Sequence, residues 1–108
     1  MFSRVTLLEI DAVRTDVDGA LERYREEVLS KLREQPGYEG AFVMLNPDGQ
    51  GLVMSLWSSE ETLQATAPLA GAALHSFATI FKAPPGREQY EVRIADLPAH
   101  SIEWVPPS

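Results

Sequence analysis

The stretch from Pro36 to Glu61, PGYEGAFVMLNPDGQGLVMSLWSSEE, constrains the fold more than any other. It reads as a helix stop, a strand, a tight turn, a second strand and a helix start. Pro36 disfavours helical geometry at Gln35, and Gly37 can take the backbone angles of the exit. In Gly40–Asn46, Ala41, Val43 and Leu45 face one way while Phe42 and Met44 face the other. In Leu52–Trp57, Leu52, Met54 and Leu56 oppose Val53, Ser55 and Trp57. Asn46-Pro47-Asp48-Gly49 has proline where a type I turn wants a fixed φ and glycine where the chain reverses. Ser58 and Glu61 have capping-box spacing and start a helix directly after Trp57. Both strands are apolar on both faces, whereas a pair buried on one side alternates apolar with polar. The pattern predicts a covering layer on each side of the sheet.

The rest of the chain fits around this hairpin. Residues Phe2 to Ile10 predict a strand with Val5, Leu7 and Glu9 on one face and Arg4, Thr6, Leu8 and Ile10 on the other. A helix follows, with Thr15–Asp18 or Asp16 as its cap. Its apolar stripe is Val17, Leu21, Tyr24, Val28 and Leu32, with Ala20 beside it. The second helix is interrupted at Pro68, which suits the first turn of a new segment. From Leu69, residues Ala73, Phe77, Ile80 and Phe81 resume helical spacing up to Lys82. Gln89 to Asp96 predicts a last strand, with Tyr90, Val92 and Ile94 against Glu91 and Arg93. The order is βαββαβ, an α+β ferredoxin-like domain over residues 1–96 with a four-stranded antiparallel sheet and helices on one face. That leaves the other sheet face bare, and homodimerisation through it would cover the apolar residues. Residues 97–108 form a C-terminal tail, expected to dock on its own body or on a partner subunit through Ile102, Trp104 and Val105.

Bulk properties exclude several function classes. A chain of 108 residues fits one domain. With 9 basic against 16 acidic residues the net charge is −7, so nucleic acid and anionic membrane are poor partners. No apolar run reaches the length of a membrane span, and the N-terminus lacks the features of a signal peptide. The absence of cysteine excludes disulfides, thiolate metal sites and a cysteine nucleophile, and is compatible with the cytoplasm. His75 and His100 lie far apart with no metal motif beside either, so no metal is expected. Gly49-Gln50-Gly51 is a hairpin turn and not a phosphate loop, and no G-x-S-x-G is present.

The pattern P-G-aromatic, apolar strand, N-P-D-G and S-L-W-S-S-E-E resembles the antibiotic-biosynthesis-monooxygenase-like family over about residues 3 to 96. The resemblance implies a dimeric α/β barrel and, among the activities of such proteins, cofactor-independent oxidation of a small aromatic or quinol-type substrate between helices and sheet. Haem-degrading members carry an Asn on the first strand and a Trp and a His on the second helix. This chain has no Asn on its first strand, Thr66 or a neighbour where the Trp would fall, and His75 without that partner, which argues against haem degradation.

Each candidate residue has a functional and a plain reading. His75 has the pKa range of a general base, or is an amphipathic or surface histidine. Trp57, Tyr24 and Phe77 could wall a substrate pocket, or are core and interface packing. The alternative function is a non-catalytic dimeric module that binds a small ligand or a protein partner.

Overall fold

The computed structural model describes residues 1–96. Four strands, β1 (Phe2–Glu9), β2 (Tyr38–Leu45), β3 (Gln50–Trp57) and β4 (Gly86–Glu91), form one sheet in the order β2-β3-β1-β4. Every neighbouring pair is antiparallel. The first helical layer runs from α1 (Val17–Tyr24) through a π-helical turn, Arg25–Leu29, into α2 (Ser30–Leu32). The second comprises α3 (Glu60–Ala65), α4 (Ala67–Ser76) and a 3-10 turn, Ala78–Ile80. This is the expected βαββαβ architecture. The expected tail lies outside the described residues.

The hairpin behaves as its residues dictate. The side-chain carbonyl of Asn46 accepts from the backbone N–H of Asp48 and of Gln50, both at 3.0 Å. Gly49 sits at φ 84°, a left-handed conformation that side chains disfavour. Its carbonyl accepts from Ile10 N–H at 2.7 Å, so the turn also anchors the end of β1. In the register, Phe42 stands opposite Met54 and Met54 opposite Val5, while Val43 pairs with Val53 and Val53 with Thr6. The alternation therefore holds across three strands.

On the first helix, the stripe from Tyr24 through Val28 to Leu32 recurs every four residues, which overshoots an α-helical turn of about 3.6. The wider π turn takes up the excess and keeps Val28 and Leu32 pointed inward. Both are buried, in a cluster with Trp57, Leu63 and Phe77. Leu63 and Trp57 are the largest fully buried side chains.

Of the two caps expected for α1, Asp16 is the one used, its carboxylate accepting from Gly19 N–H at 3.1 Å. Three local expectations are corrected. The second capping box sits one residue later than Ser58–Glu61. Ser59 accepts from Thr62 N–H while the Thr62 hydroxyl accepts from Ser59 N–H, because β3 continues through Trp57 and Ser58 N–H is held by Gly37 O at 2.8 Å. The second helix does not run to Lys82. It ends at Ser76, and Phe81 is already extended enough to bridge to Ile10. Finally, β4 starts at Gly86 and stops at Glu91, three and five residues before the expected bounds Gln89 and Asp96. Its partner is exhausted at that point. Glu91 pairs with Phe2, and Val92 N–H makes a further bond to Met1 O at 2.8 Å. Ile94, expected on the apolar side of this strand with Tyr90 and Val92, lies beyond its end and is 91% exposed.

Candidate functional site

The helix-facing side of the sheet and the two helical layers enclose a cavity of about 100 Å³. Its floor comes from alternate strand positions: Arg4, Thr6 and Leu8 on β1, Val43 on β2, and Val53, Ser55 and Trp57 on β3. Leu21, Tyr24 and Val28 close one side; Ala70, Ala73 and Leu74 with Phe77 close the other. The walls on α4 are short because the helix is rich in alanine, and no α4 residue is fully buried. Small side chains there are what leave the space open. For scale, an apolar cavity of about 150 Å³ holds benzene, and drug-sized ligands occupy about 300–1,000 Å³. At about 100 Å³ the cavity is smaller than either, which limits an occupant to one ring at most.

Polar groups in the lining are few. The Trp57 indole N–H donates to Ser55 Oγ at 2.9 Å, and the Tyr38 ring meets Trp57 edge-on at 5.7 Å. Thr66, at the junction of α3 and α4, gives its hydroxyl to Leu63 O at 2.7 Å. Arg4 Nη2 donates to the same carbonyl at 2.8 Å. Arg4 is only 8% exposed. Burial lowers its pKa, and Arg87, which projects from the same face of β4, lowers it further. Arginine stays charged even so. On the far wall, burial pushes the Tyr24 hydroxyl up to about 12, so it is a neutral donor and acceptor at ordinary pH.

The expected pocket residues divide. Trp57, Tyr24 and Phe77 all line the cavity, and the Tyr24 and Phe77 rings lie 6.3 Å apart. Arg23 reaches over the Phe77 ring at 4.2 Å and donates to Ser76 O at 2.9 Å, tying α1 to the end of α4. His75 does not join them. It is exposed and lines a shallower groove with Lys82, Arg87 and the Pro84–Pro85 loop. Leu74 and Phe81 border both the groove and the cavity. Among the described residues, Arg4 and Tyr24 are the ionisable side chains of the cavity wall, and no cluster of His, Asp or Glu is arranged to hold a metal. Sequence reasoning placed Arg4 on the correct strand face without marking it as functional. The available signal was a charge set among apolar residues on a strand.

The opposite face of the sheet presents exposed apolar side chains, although Ser3 and Leu56 on it are buried. Leu7, Phe42, Met44 and Tyr90 are 50%, 41%, 49% and 53% exposed. No helix among the described residues is long and apolar enough to cross a membrane.

Among solved structures, the chain resembles a monooxygenase, ActVA-Orf6 of Streptomyces coelicolor, determined with the ligand Nanaomycin D. The TM-score is 0.68 at 23% identity, over 91% of this chain and 92% of that one. SnoaB, a cofactor-independent oxygenase from Streptomyces nogalater, matches with a TM-score of 0.65 at 10% identity, over 87% and 94% of the two chains. MhuD, a haem degrader from Mycobacterium tuberculosis with two haems bound, matches with a TM-score of 0.63 at 17% identity, over 89% and 99%. No family model matches the chain, and no curated protein matches it by sequence. The fold is that of antibiotic-biosynthesis-monooxygenase-like proteins, as the hairpin signature implied. At these identities the shared property is the fold.

Proposed function

We propose that this protein is an oxygenase of the antibiotic-biosynthesis-monooxygenase type that acts on a small aromatic or quinol-type substrate without a bound cofactor. The observation that carries this reading is the apolar cavity between helices and sheet, with few polar groups in its lining. Such a site contributes by excluding water, fixing the ring and stabilising its ionised form. The electron-rich ring then reduces dioxygen directly. Trp57, Tyr24 and Phe77 are the walls. His75, on the groove side, would need to act at the entrance and not on the ring. MhuD is described with two haems bound; a cavity of about 100 Å³ supports a single ring better than a macrocycle. A homodimer, formed through the exposed apolar sheet face, would bury Leu7, Phe42 and Met44 and complete the barrel.

One observation favours a second reading, a non-catalytic ligand-binding module. The cavity wall holds Arg4 and Tyr24 as its ionisable groups, and neither is a base near neutral pH. Incubation with single-ring quinols under air separates the two. Enzyme-dependent oxygen uptake that falls when Trp57 or Tyr24 is changed supports the oxygenase. Binding without oxygen uptake supports the module. If uptake occurs and is unchanged in His75→Ala, His75 has no part in it.

A further inference from the structure

We infer that the cavity takes its aromatic ligand as an anion, with the Arg4 guanidinium holding the anionic oxygen. This rests on the reading of the cavity as an aromatic pocket and adds the side chain that holds the ionised oxygen. Arg4 is more than nine-tenths buried at 8% exposure. Isolated buried charges are costly, and they are ordinarily paired with an opposite charge or with a ligand. Among the described residues, no carboxylate forms an ion pair with Arg4. Ion pairs such as Arg23–Glu27 and Arg25–Glu22 lie instead on the first helical layer. The register puts uncharged groups beside it, Ser55 on β3 and Gln89 on β4. On the same face, Arg87 lies opposite Thr6, while Glu91 is displaced to the Phe2 end of the strand. One guanidinium N–H is used on Leu63 O at 2.8 Å, out of five that the fork carries. The side chain lines the cavity, so an anionic oxygen inside would meet a charge-assisted donor.

The approach to the cavity has the same sign. Lys82 and Arg87 line the outer groove, on a chain whose net charge is −7. A local cationic groove concentrates anions against such a background. Leu74 and Phe81 border both the groove and the cavity, so the cationic groove adjoins the space that Arg4 lines. In the apolar cavity, where Tyr24 is held neutral, Arg4 favours the ionised over the neutral form of an acidic ring hydroxyl. The oxygenase reading then needs no protein base, because the site lowers the pKa of the substrate itself.

The test uses 4-nitrophenol, whose ionised form is coloured, and its methyl ether, 4-nitroanisole, which cannot ionise. Absorbance titration over pH gives the pKa of the bound phenol. The expected result is a bound pKa at least about one unit below that of the free phenol, equivalent to about tenfold tighter binding of the anion. Arg4→Met is expected to abolish this shift and Arg4→Lys to retain most of it. A purely structural Arg4 would leave bound-ligand ionisation unmoved in any variant that folds. If Arg4→Met fails to fold, the wild-type shift still decides, together with Arg87→Gln at an exposed position, which is expected to reduce the shift without removing it. Binding of phenol and ether with no change in the phenol's pKa overturns this inference and leaves the pocket reading intact. Failure to bind either compound overturns both.

Discussion

The two faces of the sheet use the same strands and the same alternation, yet they end in opposite environments. The face carrying Thr6, Ser55 and Trp57 lies under helices, with Trp57 fully buried. The face carrying Leu7, Phe42 and Met44 is left 41–50% exposed at those positions. Composition does not explain the contrast, because both faces mix apolar and polar positions: Ser3, Glu9 and Glu88 share the open face with Leu7. The covered face holds the buried Arg4, Thr6 and Ser55 and the empty space. A sheet that wanted only stability would place these the other way round. The arrangement is understandable if the helix side encloses a small polar-floored site and the open side is a surface for another subunit.

The largest expected effect tests whether the covered face is a true core. Trp57→Ala removes a fully buried ring along with its bond to Ser55, and should cost about 3–5 kcal/mol. Urea denaturation measures it. A loss near that of an exposed residue would break the distinction between the faces.

A second test exploits the neutral Tyr24 buried there. Its hydroxyl is raised from 10.0 to about 12 in the folded chain. Between those values the unfolded chain releases the proton and the folded chain keeps it. Stability contributed by this group is therefore intact below pH 10 and is lost as pH rises toward 12, by on the order of 2–3 kcal/mol. Urea midpoints across that range should fall, and Tyr24→Phe should flatten the decline. Tyr38, also raised by burial, accounts for a residual slope.

The smallest effect on stability belongs to the open face. Phe42→Glu replaces a side chain that is 41% exposed, and the folded subunit should change by within about 0.5 kcal/mol. Sedimentation should nevertheless show the proposed dimer converted to monomer. A wild-type protein that already sediments as a monomer would leave the apolar face without the role assigned to it.

Much of this contrast is legible in the sequence, and the reasons differ by element. Strand faces follow from a side-chain period of two, so Val43 with Val53 and Phe42 with Met54 could be assigned by parity alone. Which face the helices would cover could not, since both are apolar. The first helix was readable because Tyr24, Val28 and Leu32 are large against a charged background. Its successor was not, because Ala70, Ala72 and Ala73 give α4 little amphipathic contrast, and the phase that places His75 outside was undetermined. The strand β4 slipped for a different reason. The alternation of Tyr90, Val92 and Ile94 is local, while the strand's bounds are set by where β1 begins. Arg4 stayed hidden because a charge on a strand reads as solvated until a covering layer is known.

The most direct measurement is a crystal structure of the protein with 4-nitrophenol bound at a pH where the phenol ionises. The ring is expected between Tyr24, Phe77 and Trp57, with the phenolate oxygen within hydrogen-bond distance of the Arg4 guanidinium. A ligand found only on the open sheet face or in the outer groove beside His75, with the space above Arg4 unfilled, would contradict the account.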